Sequence, residues 1–540
     1  MVTNSLAAID WLVVAVYLLS LMALALWLSR RQFDRADYYL AGRRMGAWPV
    51  AISVMATQCS TNSILGAPAF VAFTLGGGLV WLQYELALPL AMIVLILLVM
   101  PTFRKLQLVS VYAYLERRFD LRTRLLLSGL FLFVRAFATA VTVFSVALVI
   151  DLLLGIGFFW SVLLLGAFTV LYDVFGGMSG VIYSDVIQMA ILVLVLGLLL
   201  VLLADSSGGL LALLDALGPE RRQTLDFAHH GWGDGETFAF WPMLFGGFLL
   251  YLAYYGCDQS QVQRILSARD IDTTNRALLI NGLLRFPLVM LYCLVGVGIA
   301  VYAAKTPGFI GSLPLHDGAP QYNLAVPRFM LDTLPAGLAG LAVVALFAAA
   351  MSSLDSALNS LSATTMEDFV LRFRPQPMSP RTELVVGRVI TAVWGGVTLT
   401  LSFFVGDIAP TVLEAINKIG SLANGAILGV FALGLYWRRC DGVSASAALV
   451  VGIGVNTALW LCAPGISWLW WNVTGFIATL MAGAALGEVR QARGLARPAA
   501  AQLSALQVLA TESRWNWPRW SLLLLAWFAA LFGLLWWLQR

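Results

Sequence analysis

The run Phe347-Ala-Ala-Ala-Met-Ser-Ser-Leu-Asp-Ser-Ala-Leu-Asn-Ser360 places hydroxyls and one carboxylate inside an apolar segment of membrane length. At helical spacing Ser352, Asp355 and Ser356 share a face, with Ser353 beside them. Oxygen donors of this kind suit small hard cations. Serine and alanine also serve helix packing in membranes. Packing has no use for a carboxylate, however, and an ionisable group at bilayer depth marks a functional site. Two more polar runs interrupt membrane-length segments: Ala56-Thr-Gln-Cys-Ser-Thr-Asn-Ser63, and Tyr254-Tyr-Gly-Cys-Asp-Gln-Ser-Gln261 around Gly256. Unwinding there frees carbonyls and amides to bind an ion or a solute; the alternative is a kinked polar patch packed against neighbours.

The elements that must hold these residues are membrane helices. The chain has 540 residues, 60% hydrophobic and 11% charged, with mean hydropathy +0.85, which excludes a soluble enzyme and fits an all-α polytopic membrane protein. Apolar spans recur from Trp11–Trp27 to residues 520–538, about 14 transmembrane helices in all. The first has no small-residue cleavage site and reads as an anchor, not a signal peptide. With the N-terminus and C-terminus outside, the inside loops carry Arg30 to Arg44, Arg104 to Arg124, Arg264 to Arg276, Arg372 to Arg388, Arg438 and Arg439, and Arg490 to Arg519, which is 25 of the 33 Lys and Arg. Arg221, Arg222, Lys305, Arg328 and Arg540 fall outside, and Arg135, Arg285 and Lys418 lie near or within spans. The net charge of +4 therefore reports topology and not nucleic-acid binding. Cys59, Cys257, Cys293, Cys440 and Cys462 are scattered without CxxC spacing, and the three histidines form no metal-like pair, so neither disulfides nor a transition metal are expected. No nucleophile, base and orienter come together in the pattern, so the chain is not expected to be an enzyme.

Span counting divides the chain into an accessory first helix and cytoplasmic loop (1–46), a first five-helix repeat (47–204), an extracellular loop (205–238), a second five-helix repeat (239–437) and three accessory helices (438–540). An odd number of helices per set inverts the second copy relative to the first, as in many secondary transporters.

Five motifs occur in order: Tyr39-Leu-Ala-Gly-Arg43, Tyr112-Ala-Tyr-Leu-Glu-Arg-Arg-Phe119, Phe175-Gly-Gly-Met-Ser-Gly-Val-Ile-Tyr-Ser-Asp-Val-Ile-Gln188, Asp258-Gln-Ser-Gln-Val-Gln-Arg264 and Ala348-Ala-Ala-Met-Ser-Ser-Leu-Asp-Ser356. Over almost its whole length the chain resembles the sodium/solute symporter family, which includes sodium/sugar, sodium/proline and sodium/sialic-acid cotransporters. The resemblance implies the five-plus-five inverted-repeat core shared with amino-acid and neurotransmitter symporters. It also implies a first Na⁺ site made by the carbonyls of Ala56, Cys59 and Ala349 and the hydroxyls of Ser352 and Ser353. Those donors would dehydrate Na⁺ without adding a fixed charge. A possible second Na⁺ or proton site, as some relatives have, falls on Asp185, Ser352, Asp355 and Ser356. Asp355 departs from the Ser or Thr of relatives with that site. Two carboxylates there need either a shared Na⁺ or a proton, unless Asp185 is a helix-end anchor near the cytoplasmic surface.

The positions matching the family's substrate site are Gln58, Ser60, Ser63, Gln83, Glu85, Arg135, Tyr254 and Asn417. Arg135 lies well inside a span, where a guanidinium needs a carboxylate partner: either the solute's or an internal one, Glu85 or Asp151. Arg285 could snorkel, pair locally or, as the resemblance allows, meet solute. Glu414 and Lys418, at i and i+4, read as a local helix pair. The expected function is sodium-coupled import, by alternating access, of a small organic solute: a carboxylate, sialic acid, amino acid or sugar. Na⁺, one or two ions, would be the coupling ion, in the plasma (inner) membrane, with no nucleic acid and no obligatory protein partner. The alternative is a membrane solute sensor built on the same fold, against which the short cytoplasmic segment 488–518 argues; a channel would show a filter motif.

Overall fold

A computed structural model describes residues 6–59, 61–316, 318–405, 412–495 and 505–540. Almost everything described is helical, because backbone polar groups in lipid must be satisfied within their own segment. In chain order the principal helices are α1 (Ala8–Ser29), α2 (Ala47–Gln58), α3 (Thr61–Ala72), α4 (Leu79–Lys105, with a tight first turn and a π turn at Leu95–Val99), α5 (Leu121–Leu154) and α6 (Phe158–Asp205). There follow α7 (Gly247–Cys257), α8 (Gln259–Leu266), α9 (Ile271–Lys305), α10 (Leu338–Thr364), α11 (Pro380–Ser402), α12 (Val412–Tyr436), α13 (Gly442–Cys462), α14 (Trp470–Ala492) and α15 (Trp517–Leu538). Ten helical segments among the described residues are long and apolar enough to cross a membrane.

Both interruptions are real. α2 stops at Gln58 and α3 starts at Thr61, with Cys59 out of helical conformation at φ −82°, ψ 65°. The second break falls at Asp258, not around Gly256. Asp258 is extended (ψ 121°) and its carboxylate accepts the Ser260 N–H, capping α8, whereas Gly256 stays helical and lets Leu95 approach to 3.1 Å of where a Cβ would stand.

α6 doubles back at Gly177, whose φ of +54° and contact with Tyr38, 2.7 Å from a Cβ position, admit no side chain. The turn faces Tyr172 towards Ser184, with 2.9 Å between their hydroxyl oxygens.

Most of the arginine-rich loops meet at one end. Met45 N–H reaches Ser267 O (3.2 Å), Arg43 donates to Gln107 O and Leu108 O (both 2.9 Å), and Arg118 donates to Gly434 O (2.9 Å) and Trp437 O (2.7 Å). At the opposite end Asp10 accepts from Gly337 and Gly340 N–H (both 2.7 Å), Thr224 donates to Leu535 O (2.6 Å) and Ser467 N–H to Gly231 O (2.8 Å). Arg264 is a correction to the loop assignment. It is fully buried on α8 in the protein interior, because acceptors from three other helices converge on it.

Candidate functional site

The end of α2 faces the middle of α10. Ser352 Oγ lies 3.4 Å from Ala56 O and 3.1 Å from Ala349 O, and Ser353 Oγ lies 3.4 Å from Ala349 O. These are long contacts. The Ser352 contacts border a cavity of about 10 Å³ lined by Ala56, Cys59, Ala349 and Ser352, with Gln188, Met189, Leu192 and Ala348, room for one water-sized particle, whereas Ser353 lines the larger cavity beside it. A hydroxyl that donates to a carbonyl can rotate and offer its lone pair to a cation. Cys59 left the helix at its cap, so its carbonyl is not committed to a helical partner by geometry, while its buried thiol is bystander packing.

On the other side of the break lies a cavity of about 930 Å³. Of the expected solute residues it is lined by Gln58, Ser63, Glu85, Arg135 and Tyr254. Its walls run to Thr74, Thr237, Gln321 and Trp468, at the end away from the arginine-rich loops. Tyr112 marks its floor. Towards the arginine-rich end, Arg124 holds Asp368 through Nε (2.9 Å) and Nη2 (2.5 Å) and Glu116 through Nη1 (2.7 Å), while Ser110 (2.8 Å) and Ser128 (2.6 Å) donate to the second oxygen of Asp368. Arg372 adds a bond to Glu116 at 2.8 Å, completing a lattice that closes this end.

The partner of Arg135 is neither Glu85 nor Asp151. Its Nη2 donates to Ser260 Oγ (2.5 Å) and its Nη1 stands 3.7 Å from Asp258 Oδ2, with the two side chains 18% and 21% exposed on the cavity wall. Asp258 is itself held by Ser260 N–H (2.8 Å) and Oγ–H (2.5 Å). Glu85 accepts from Tyr251 (3.0 Å) and lies 3.7 Å from Arg285, both buried, so Arg285 does not snorkel. Asp151 caps the end of α5 by accepting Gly157 N–H at 2.7 Å.

Gln83 does not line the cavity: it donates to Phe238 O (2.7 Å) and accepts from Asp226 N–H (3.1 Å), tying the 205–238 segment to α4. Gln58 Oε1 accepts from Tyr255, and Ser63 Oγ lies 3.4 Å from Gln58 O. Ser60 and the side chains of Glu414, Asn417 and Lys418 lie outside the described residues.

Around the expected second site, the two carboxylates have separate partners. Asp185 is fully buried and not a surface anchor; it accepts from Ser53 at 2.5 Å. Asp355 accepts from Tyr172, and Ser356 Oγ, whose proton goes to Ser352 O, lies 3.2 Å from its other oxygen. Arg264 reaches between them: Nε donates to Ser53 Oγ (2.9 Å) and lies 3.6 Å from Asp185 Oδ2, Nη2 donates to Ser356 Oγ, and Nη1 to Ser260 O (2.5 Å). The expected choice between a shared Na⁺ and a proton left out this third charge. Arg264 and Asp258 stand inside the motif and the polar run already noted. Asp173 and Tyr172 stand just before the Gly177 turn and gave no periodic signal.

Two broken helices, an ion-sized oxygen pocket and a large cavity open at one end are the parts of a coupled transporter. Residues 38–453 match the sodium:solute symporter family. The chain belongs to this family. It is 28% identical over 487 residues to the sodium/sialic acid symporter of Aliivibrio fischeri, covering 89% of this chain and 94% of that one. It is 30% identical over 471 residues to the sodium-dependent multivitamin transporter of Oryctolagus cuniculus, covering 84% and 70%. Its fold superposes with a TM-score of 0.80, at 25% identity and over 92% of this chain and 100% of the other, on a Na⁺-coupled sialic acid symporter solved substrate-bound and outward-open, in which a novel Na⁺ site was found. This symporter couples solute import across a membrane to Na⁺, and its relatives are transporters and not enzymes.

Proposed function

We propose that Na⁺ binds at the break between α2 and α3, on the carbonyls of Ala56, Cys59 and Ala349 and the hydroxyls of Ser352 and Ser353, and that solute binds in the adjoining cavity against Gln58, Ser63, Arg135 and Tyr254. The observation that carries this reading is the pocket of about 10 Å³ between Ala56, Cys59, Ala349 and Ser352, beside a cavity of about 930 Å³ that reaches one end of the molecule. That state is outward-facing if the arginine-rich end is cytoplasmic, which the positive-inside rule favours. The same rule places both termini outside and suits the inner membrane. Fourteen spans are read in this way, with 47–204 and 239–437 as inverted five-helix repeats, 205–238 as the extracellular loop, and 1–46 and 438–540 as accessory helices.

The solute is an organic carboxylate. Its carboxylate takes Arg135 from Asp258, whose present separation of 3.7 Å is too long for a hydrogen bond and leaves the guanidinium open to a better acceptor. The names of the relatives, sialic acid and monocarboxylate symporters among them, support this class. Uptake of a panel of monocarboxylates, sugars and amino acids into proteoliposomes, with Na⁺ or K⁺ outside, tests it. Accumulation of an acid only with Na⁺ is expected; accumulation of sugars alone, or equal uptake with K⁺, refutes it.

A further inference from the structure

We propose that the outer end of the large cavity is a second subsite for the solute, an aromatic pocket of Phe70, Trp81, Phe238 and Trp468. The solute is then an elongated carboxylate ending in an apolar ring beside an acceptor oxygen. The inference rests on the reading of Arg135 as the partner of the carboxylate, and it names the chemistry of the solute's other end.

The size of the cavity sets the first requirement. At about 930 Å³ it stands near the top of the range for sites that enclose drug-sized ligands, and a short-chain acid leaves most of it empty. α5 lines it from Leu130 to Val149, and Arg135 stands near the inner end of that stretch, roughly 21 Å of helix from Val149. Tyr255 bonds Gln58, so the two helix breaks stand side by side. From Ser63, just past the first break, α3 rises roughly 10 Å to Phe70.

The lining changes character over that distance. Its charged side chains, among the described residues, are Glu85, Arg135, Asp258 and Arg285, and they face one another as Arg135 with Asp258 and Arg285 with Glu85. Beyond them the wall is aromatic. Phe70 packs 5.3 Å from Trp81 and edge-on to Phe238 at 4.9 Å, and Trp81 lies 5.9 Å from Phe238. Trp468 belongs to the same apolar cluster as Trp81 and Phe238. This end suits a neutral ring and gives a second ionised group no partner.

Two donors are open there. The Nε1 atoms of Trp81 and Trp468 are buried and have no acceptor among the described residues, although a buried indole N–H usually finds one. Trp471 and Trp527 share that condition but do not border the cavity. An indole donates and never accepts, so the group that satisfies it brings an acceptor oxygen. The pocket is also built in advance. Gln83 holds Phe238 O at 2.7 Å, and Ser467 Oγ, next to Trp468, holds Thr237 O, next to Phe238, at 2.8 Å. The α5 hydroxyls on the cavity, those of Thr139, Thr142 and Ser145, already donate to carbonyls of their own helix and have no proton left for the oxygens of a sugar.

Calorimetric titration of the full chain in lipid nanodiscs with Na⁺ tests the proposal, with thermal unfolding as the control for folding. The probes are propionate, hydrocinnamate, β-benzoylpropionate and N-acetylneuraminate. β-Benzoylpropionate, which has both the ring and the ketone, should bind tightest, exceeding propionate by roughly tenfold or more, the worth of burying one ring. Trp81→Phe and Trp468→Phe, which keep a ring and remove the N–H, should each weaken β-benzoylpropionate by about threefold to tenfold and leave propionate unchanged. Either variant decides if the other does not fold. Phe70→Ala should weaken both ring acids and not propionate. Propionate or N-acetylneuraminate binding as tightly as the ring acids overturns the subsite, as do tryptophan variants that weaken β-benzoylpropionate no more than propionate. Failure of the Arg135 reading looks different: Arg135→Ala would leave β-benzoylpropionate bound, and butyrophenone, which lacks the carboxylate, would bind equally well.

Discussion

Replacing Ser352 and Ser353 together by alanine removes one oxygen from the pocket at the α2–α3 break and one from the wall of the adjoining cavity, and leaves the three carbonyls in place. Ser352 Oγ makes only long contacts, 3.4 and 3.1 Å, and Ser353 Oγ one of 3.4 Å, so their loss costs the fold little. Their worth appears when a cation is present. An oxygen facing a charge contributes roughly 1.5–3 kcal/mol by analogy with hydrogen bonds to charged groups, which is about tenfold to a hundredfold in affinity. Both together should weaken Na⁺ binding by on the order of a hundredfold to ten-thousandfold if the two act independently. The single Ser352→Ala should fall between wild type and double variant. Binding of ²²Na⁺ to purified protein, with thermal unfolding as the control for folding, measures this. A double variant whose Na⁺ affinity stays within about twofold of wild type, well inside the loss expected for even one charge-facing oxygen, would falsify the site.

Arg135→Ala should weaken solute binding by about a hundredfold or more, the usual cost of truncating one partner of a buried charged pair, while Na⁺ binding without solute stays measurable. Asp258→Asn should instead tighten binding of an acid by releasing Arg135, and loss of binding in Asp258→Asn with retention in Arg135→Ala would show that the solute is not held as an anion there. Asp368→Asn weakens the acceptor shared by Arg124, Ser110 and Ser128 and should speed amide hydrogen exchange across residues 105–120 as the closed end opens; unchanged exchange would show that this hydrogen-bond network does not hold that end. His229 is exposed, and its bond to Asp226 at 2.9 Å holds its ring above the ordinary histidine range. The pair therefore contributes fully below the unfolded histidine value of about 6.5 and is lost as pH rises through the folded one. An NMR titration should show Asp226→Asn returning His229 to the ordinary range, and an unaltered titration would sink the pairing.

The pattern of the sequence was most legible where it broke a rule. A polar run inside an apolar segment, Ala56 to Ser63, contains the break that the structure places between Gln58 and Thr61, because irregular backbone at bilayer depth is tolerated only where it lines a cavity or is buried in protein. It misplaced the second break by two residues, since glycine suggests a kink but the cap at Asp258 ends the helix. Counting arginines between spans found the loops but not Arg264, which lies in the same stretch of sequence as true loop residues and is taken into the core by acceptors far along the chain, Ser53 and Ser356. Gln83 failed for a related reason. A matching position cannot tell a side chain that faces solute from one that ties Phe238 and Asp226 to the scaffold. Pairing between distant carboxylates and guanidinia has no periodicity, so Arg135 with Asp258 and Arg285 with Glu85 became visible only once the helices were placed.

Coupling requires that Na⁺ and solute each favour the same arrangement of something both can touch. The structure offers one continuous route for this. Arg135 on the solute cavity donates to Ser260 Oγ, the carbonyl of Ser260 receives Arg264, Arg264 donates to Ser356, and Ser356 donates to the carbonyl of Ser352, whose own hydroxyl lies beside Ala56 and Ala349. Adjacency alone does not make a route a coupling device. What distinguishes this one is that Ser260 and Arg264 both ride on α8, an eight-residue half-helix that begins at the Asp258 break. On the proposed reading, a solute that draws Arg135 away removes its bond to Ser260 at the start of α8, and any rotation of α8 carries Arg264 against Ser356 and hence against the pocket at Ser352.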